Sequence, residues 1–154
     1  MITLPRTAAG MMMLVLRLGL GVLFLYTGWV KAADPTAFLL NIRSFQMLPD
    51  PWAAWLAMGL PWLEIFTGVA LIAGVLLDGA LLCSAGMFTV FLVALLYSWH
   101  RGLDVTCGCF GRQENATDYP MAILQDVVFL AVTLAVIGHR WVTLRRARRA
   151  APAP

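Results

Sequence analysis

An all-α integral membrane protein is predicted: a four-transmembrane-helix bundle with a short amphipathic surface helix after helix one. Three observations predict it. Of 154 residues, 61% are hydrophobic and 12% charged, with mean hydropathy +0.82, whereas a soluble domain carries roughly 25% charge. Four apolar stretches, residues 10–31, 53–77, 79–99 and 119–138, each reach the roughly 20 residues needed to cross a bilayer. Inside a bilayer only helices or a closed barrel satisfy the backbone. Runs such as "LIAGVLL" and "VVFLAVTLAVIG" lack the period-2 alternation of barrel strands.

The first stretch follows Arg6, carries Arg17 and ends in "VKAA", which are also ingredients of a cleaved signal peptide. Residues 10–30 are long enough to span, however, and Lys31 suits a helix end, so the stretch reads as a retained helix. The next segment, "DPTAFLLNIRSFQMLPDP", opens with Asp34–Pro35, an N-cap followed by a proline at the first helical position. Phe38, Ile42 and Phe45 recur at helical spacing among polar Asn41, Arg43 and Ser44, and Pro49 and Pro51 close the run. That pattern is an amphipathic helix on the membrane surface. It caps the bundle, and it can also wall a site beside the 100–118 connection.

Lys and Arg near the helix ends set the orientation. "RRARR" at residues 145–149, with Arg140, assigns the C-terminus to the cytoplasm. Four spans bring the N-terminus to the same side, with the short "LDGA" turn around Asp78. Residues 1–142 thus form the bundle and 143–154 a basic cytoplasmic tail suited to anionic lipid. In a bacterial inner (plasma) membrane, connections 32–52 and 100–118 face the periplasm, where disulfides persist. The lipid bilayer is an expected partner and nucleic acid is not.

Arg17, Glu64 and Asp126 fall within the apolar stretches. Charges at such depth face the bundle interior and pair, or mark a functional path. Arg17, Gly21, Phe24, Gly28 and Lys31 share one face, as do Pro61, Glu64 and Gly68, and Tyr119, Asp126 and Thr133. Depth counted from the helix ends sets Arg17 within reach of Glu64 and Asp126 towards Lys31. Two ion pairs are expected, with proton handling as the functional alternative.

Of three cysteines, Cys83 shares a face with Gly79 and Gly86 and reads as a small packing residue. The stretch "DVTCGCFGRQ" is different. Cys107 and Cys109 are separated by Gly108, followed by Phe110 and Gly111, and flanked by His100, Arg101 and Arg112. A ring closed over so few residues is strained and easily reduced, and neighbouring positive charge favours the thiolate. Two Cys and one His do not make a zinc site, so no metal is expected. Thiol–disulfide exchange and a static loop staple both remain open.

"FLYTGWVKAADPTAF", "LPWLEIFTGVALIAG" and "RGLDVTCGCFG" together resemble the MauE/DoxX group of redox-associated membrane proteins, and within it the methylamine-utilisation MauE branch. The resemblance spans about residues 14–137 and rests on Gly28, Lys31, Asp34, Pro35, Pro61, Glu64, Cys107, Cys109 and Gly111, with Arg17 and Asp126 at polar positions. It implies four transmembrane helices and a role in forming disulfides of exported proteins, with a thioredoxin-fold partner, periplasmic or membrane-tethered. DoxX-type relatives imply a quinone-linked oxidation of sulfur compounds. No cofactor motif is evident, and a membrane quinone is the acceptor to consider. The contrasting expectation is a non-catalytic scaffold for an oxidoreductase, its cysteines locked to order a docking loop.

Overall fold

Residues 8–103 and 118–150 are described in this computed structural model, and among them the chain forms five helices and no strand. These are α1 (Ala8–Ala33), α2 (Pro35–Ser44), α3 (Trp52–Ala73), α4 (Leu77–His100) and α5 (Tyr119–Ala150). α1, α3, α4 and the Tyr119–Arg146 part of α5 are long and apolar enough to cross a membrane. They pack in the cyclic order α1–α3–α4–α5, and α5 closes back on α1.

α2 starts as its sequence dictates. The Asp34 carboxylate accepts a hydrogen bond from the Ala37 amide at 3.0 Å, with Pro35 just inside the helix. Its Phe38 is buried, Phe45 just beyond its end meets Phe91 of α4 at 6.4 Å between centroids, and the helix packs on α1 and α3. α2 therefore caps one end of the bundle.

The opposite end departs from expectation twice. The second span stops at Ala73 because Gly74 turns left-handed, φ 74°, and donates its amide to the Ala70 carbonyl at 2.9 Å, a close that glycine adopts without a Cβ penalty. The reversal therefore occupies residues 74–76, and Asp78 stands in the first turn of α4, where a carboxylate complements the helix dipole. The last helix runs well past Gly138 to Ala150 and takes in much of the basic tail. Arg, Leu and Ala are good helix formers, and no proline intervenes before Pro152.

Glycines set the register of α1 against α3. A Cβ on Gly68 would stand 2.8 Å from the Gly21 carbonyl oxygen, and one on Gly28 would stand 2.9 Å from that of Pro61. The two helices are antiparallel and in backbone contact, as small-residue seams permit. Cys83, read as a small packing residue, is half-buried and accepts from the Thr67 hydroxyl at 3.6 Å, while a Cβ on Gly79 or Gly86 would meet open space. Gly68→Ala should therefore separate α1 from α3 and cost about 1–3 kcal/mol. Gly86→Ala, with nothing within 4 Å, should be neutral; equal unfolding midpoints in detergent for the two variants would refute the seam.

The apolar core lies towards the α3–α4 turn: Leu20, Phe24, Leu71, Leu77, Ala80, Leu81 and Val136. Across the bundle Phe24 meets Phe88 in a tilted contact at 5.2 Å, and Phe88 stacks on Phe129 at 5.7 Å, between ring centroids. Beyond these rings, towards α2, the interior becomes polar.

Candidate functional site beneath the amphipathic helix

Lys31 stands in the last turn of α1, and its ammonium makes an ion pair with Oε1 of Glu64 on α3. Both side chains are nearly excluded from solvent, 10% and 8% exposed. Gly28 makes the approach possible, because a Cβ there would touch the Glu64 Cβ at 3.1 Å. Phe38 of α2 covers the pair, with the ammonium 5.2 Å from its ring centroid, a cation–π distance. One ion pair therefore ties α1, α3 and α2 together.

This corrects the expected pairing of Arg17 with Glu64. The glycine contacts align Gly21 with Gly68 and Gly28 with Pro61, so Arg17 falls level with Gly74, at 3.4 Å from where a Gly74 Cβ would stand. α3 is out of step with α1 by more than a turn, and depth counted from helix ends misses that stagger. The expected pairing of Asp126 with Lys31 is not formed either, because Lys31 is committed to Glu64.

Asp126 is 4% exposed on α5, two turns from Tyr119. Two contacts between α4 and α5 fix their register: Phe88 with Phe129, and Asp78 with Arg140. Asp126 is thereby opposite the Phe91 level of α4, in the half of the bundle that α2 covers. Ser98, completely buried on α4, lies further towards the same end. Oδ2 of Asp126, Oε2 of Glu64 and Oγ of Ser98 are buried and have no hydrogen-bond partner among the described residues. Buried polar atoms are rarely left so. Three of them in one half of a membrane bundle form a polar layer able to take a proton, a water or a polar ligand.

His100 and Arg101 end α4 at this same end; both are exposed, and Arg101 lies over the Tyr97 ring at 5.4 Å. The Tyr119 hydroxyl donates to the Leu103 carbonyl, so the two edges of the 104–117 connection are tied together. Cys107, Gly108, Cys109, Phe110, Gly111 and Arg112 lie outside the described residues.

Three participants had no place in the sequence reading: Ser98, the Thr67–Cys83 contact and the bidentate Arg140–Asp78 pair, 2.5 and 3.0 Å. Ser84 and Ser98 are both fully buried and fourteen residues apart on α4, a four-turn repeat that marks the polar seam. The cross-helix pairs left no such trace.

On the bilayer-facing side of α1 and α3, Val22, Leu25, Tyr26, Trp29, Trp62 and Ile65 line an apolar groove of about 500 Å³. Trp29 and Trp62 are both largely exposed there.

Comparison with known proteins decides the family. A family model described as "Methylamine utilisation protein MauE" matches residues 9–139. The chain belongs to the MauE family. Methylamine utilization protein MauE of Paracoccus denitrificans is 30% identical over 130 residues, covering 82% of this chain and 68% of that protein. No solved structure matches. The MauE match reaches all four spanning helices, takes in the polar layer, and stops at His139 inside the fourth.

Proposed function

We propose that this MauE-family chain is a membrane thiol–disulfide redox protein of a bacterial inner membrane. In this reading it exchanges disulfide equivalents through Cys107 and Cys109 with a periplasmic or membrane-tethered thioredoxin-fold partner, in support of exported proteins of methylamine utilisation. The observation that carries the reading is the Cys-Gly-Cys motif in the connection between α4 and α5, whose edges, Leu103 and Tyr119, are tied to each other. Both termini are cytoplasmic in this reading, and the 100–118 connection is periplasmic.

The chemistry balances as one exchange. A thiolate of the reduced partner attacks one sulfur of the Cys107–Cys109 disulfide; that S–S bond breaks and a mixed disulfide forms. The partner's second thiolate then displaces the chain's sulfur. The partner leaves oxidised, and Cys107 and Cys109 are left as a dithiol holding the two electrons and two protons. Asp126 and Glu64, each with a carboxylate oxygen lacking a hydrogen-bond partner, are the groups able to hold protons below the connection. The groove of Tyr26, Trp29 and Trp62 fits the flat ring and tail of a lipid-soluble quinone, which when bound supplies an acceptor for two electrons and two protons.

Two measurements test the reading. After mild reduction of intact cells, a membrane-impermeant maleimide should label Cys107 and Cys109 and spare Cys83, which sits half-buried within α4. Labelling of Cys83 with protection of the pair would invert the topology. One of Cys107→Ser and Cys109→Ser should accumulate a reductant-sensitive adduct on non-reducing gels, because the attacked sulfur has lost its resolving neighbour. Absence of any adduct from both variants, with the maleimide pattern intact, would argue against exchange.

A further inference from the structure

The end of the bundle opposite α2 holds a second polar cluster that thiol chemistry does not use. Arg17 of α1 lies against the Gly74 turn that closes α3. Its Nε and Nη2 are buried and have no hydrogen-bond partner among the described residues. Arg140 of α5 reaches the same turn through Asp78, four residues on from Gly74. Asp78 engages Arg140 through both its oxygens, at 2.5 and 3.0 Å, and Arg17 is left without a carboxylate. The C-terminal dipole of α3 favours a cation at this place, yet it leaves the two guanidinium donors unmet. Two arginines at this turn share one carboxylate, and Arg17 keeps N–H groups without a partner among the described residues.

We propose that Arg17 and Arg140 form a binding site for the phosphate of an anionic phospholipid. A phosphate diester offers oxygens to the planar fork of arginine and a second counter-charge where two arginines have one carboxylate. The surroundings select a lipid over a dissolved ion. Val75 and Leu76, in the turn beside Arg17, are 60% and 81% exposed, which suits a turn set among lipids rather than in water. Trp141 follows Arg140, is 58% exposed and carries Arg145 stacked over its ring at 3.8 Å. An amphipathic aromatic beside arginine is typical of the headgroup level. Arg146, Arg148 and Arg149 continue the positive field along α5. The site is independent of the cysteine reading and stands or falls separately.

The test uses the full chain in nanodiscs of phosphatidylcholine, with and without phosphatidylglycerol, and native mass spectrometry after release. The wild type should retain one phosphatidylglycerol in preference to phosphatidylcholine. Arg17→Gln should lose it at least about tenfold, the effect of removing one charge-assisted hydrogen bond. Arg149→Gln removes the same charge from the end of α5 and should leave retention unchanged. Arg17→Lys keeps the charge without the fork and should fall between the two. Should Arg17→Gln not assemble, Arg17→Lys against Arg149→Gln decides. Equal losses in Arg17 and Arg149 variants would reduce the effect to diffuse charge and overturn the site. Retention of phosphatidylcholine as well as phosphatidylglycerol would also overturn it, as would displacement of the lipid by millimolar inorganic phosphate.

Discussion

Glu64→Gln alone should destabilise the bundle by about 3–5 kcal/mol, because it strands the buried Lys31 ammonium without its counter-charge. Lys31→Met alone should cost a similar amount, by stranding the carboxylate, and should also loosen α2, since the ammonium contacts Phe38. Lys31→Met combined with Glu64→Leu should recover most of either loss, because a matched apolar pair leaves no buried charge. Denaturant titration in detergent, read as a double-mutant cycle, measures this coupling directly. Arg17→Gln added to Glu64→Gln should rescue nothing, because Arg17 sits at the Gly74 level, at the far end of α3. Additive losses for Lys31 and Glu64, or rescue by Arg17, would contradict the register that Gly28 and Pro61 define.

The cycle also separates two roles for Glu64. The carboxylate serves the ion pair through Oε1, while Oε2 is buried and without a hydrogen-bond partner. A double variant that is stable yet inactive in disulfide formation would mean that the second oxygen, or the charge itself, matters to chemistry. A double variant that is stable and active would assign the pair to architecture alone. Asp126 makes no ion pair among the described residues, so Asp126→Asn should cost little stability. Any slowing of the exchange in that variant would then report on proton handling.

Composition made the four spans legible, and periodicity made their buried faces legible. Gly21, Phe24 and Gly28 on α1, Pro61, Glu64 and Gly68 on α3, and Asp126 and Thr133 on α5 are all buried, because a polar or small residue at helical spacing has one favourable direction to point in a bilayer. The amphipathic α2 was legible from its Asp34–Pro35 start and from the helical spacing of Phe38, Ile42 and Phe45. Partnership across helices was not. Which charge meets Glu64 depends on the stagger of α1 against α3, and the chain encodes that stagger only through backbone contacts at Gly21, Gly28 and Gly68. A count from helix ends assumes flush ends, and α3 extends beyond α1 on the α2 side. The last helix was underread for a related reason: hydropathy falls at His139–Arg140, but helical propensity does not.

On the proposed exchange reading, Cys107→Ser with Cys109→Ser should abolish disulfide exchange while leaving the bundle assembled. Both cysteines fall between α4 and α5 in the sequence, so the variants leave every residue of the four spanning helices unchanged. A dithiol couple has no half-activity, since one thiol cannot close the two-electron step without its neighbour. The single variants should therefore be as inactive as the double, in contrast to a static staple, whose loss opens a very short loop and costs little. The measurement is the rate at which reduced exported substrate becomes oxidised in cells carrying each variant, with thermal unfolding of the purified protein as the control for assembly. Loss of activity at an unchanged unfolding midpoint fits a redox couple. Normal oxidation rates in the double variant would instead favour a non-catalytic scaffold that recruits an oxidoreductase. Asp126→Asn would then be expected to do nothing as well, because no proton has to move through the polar layer.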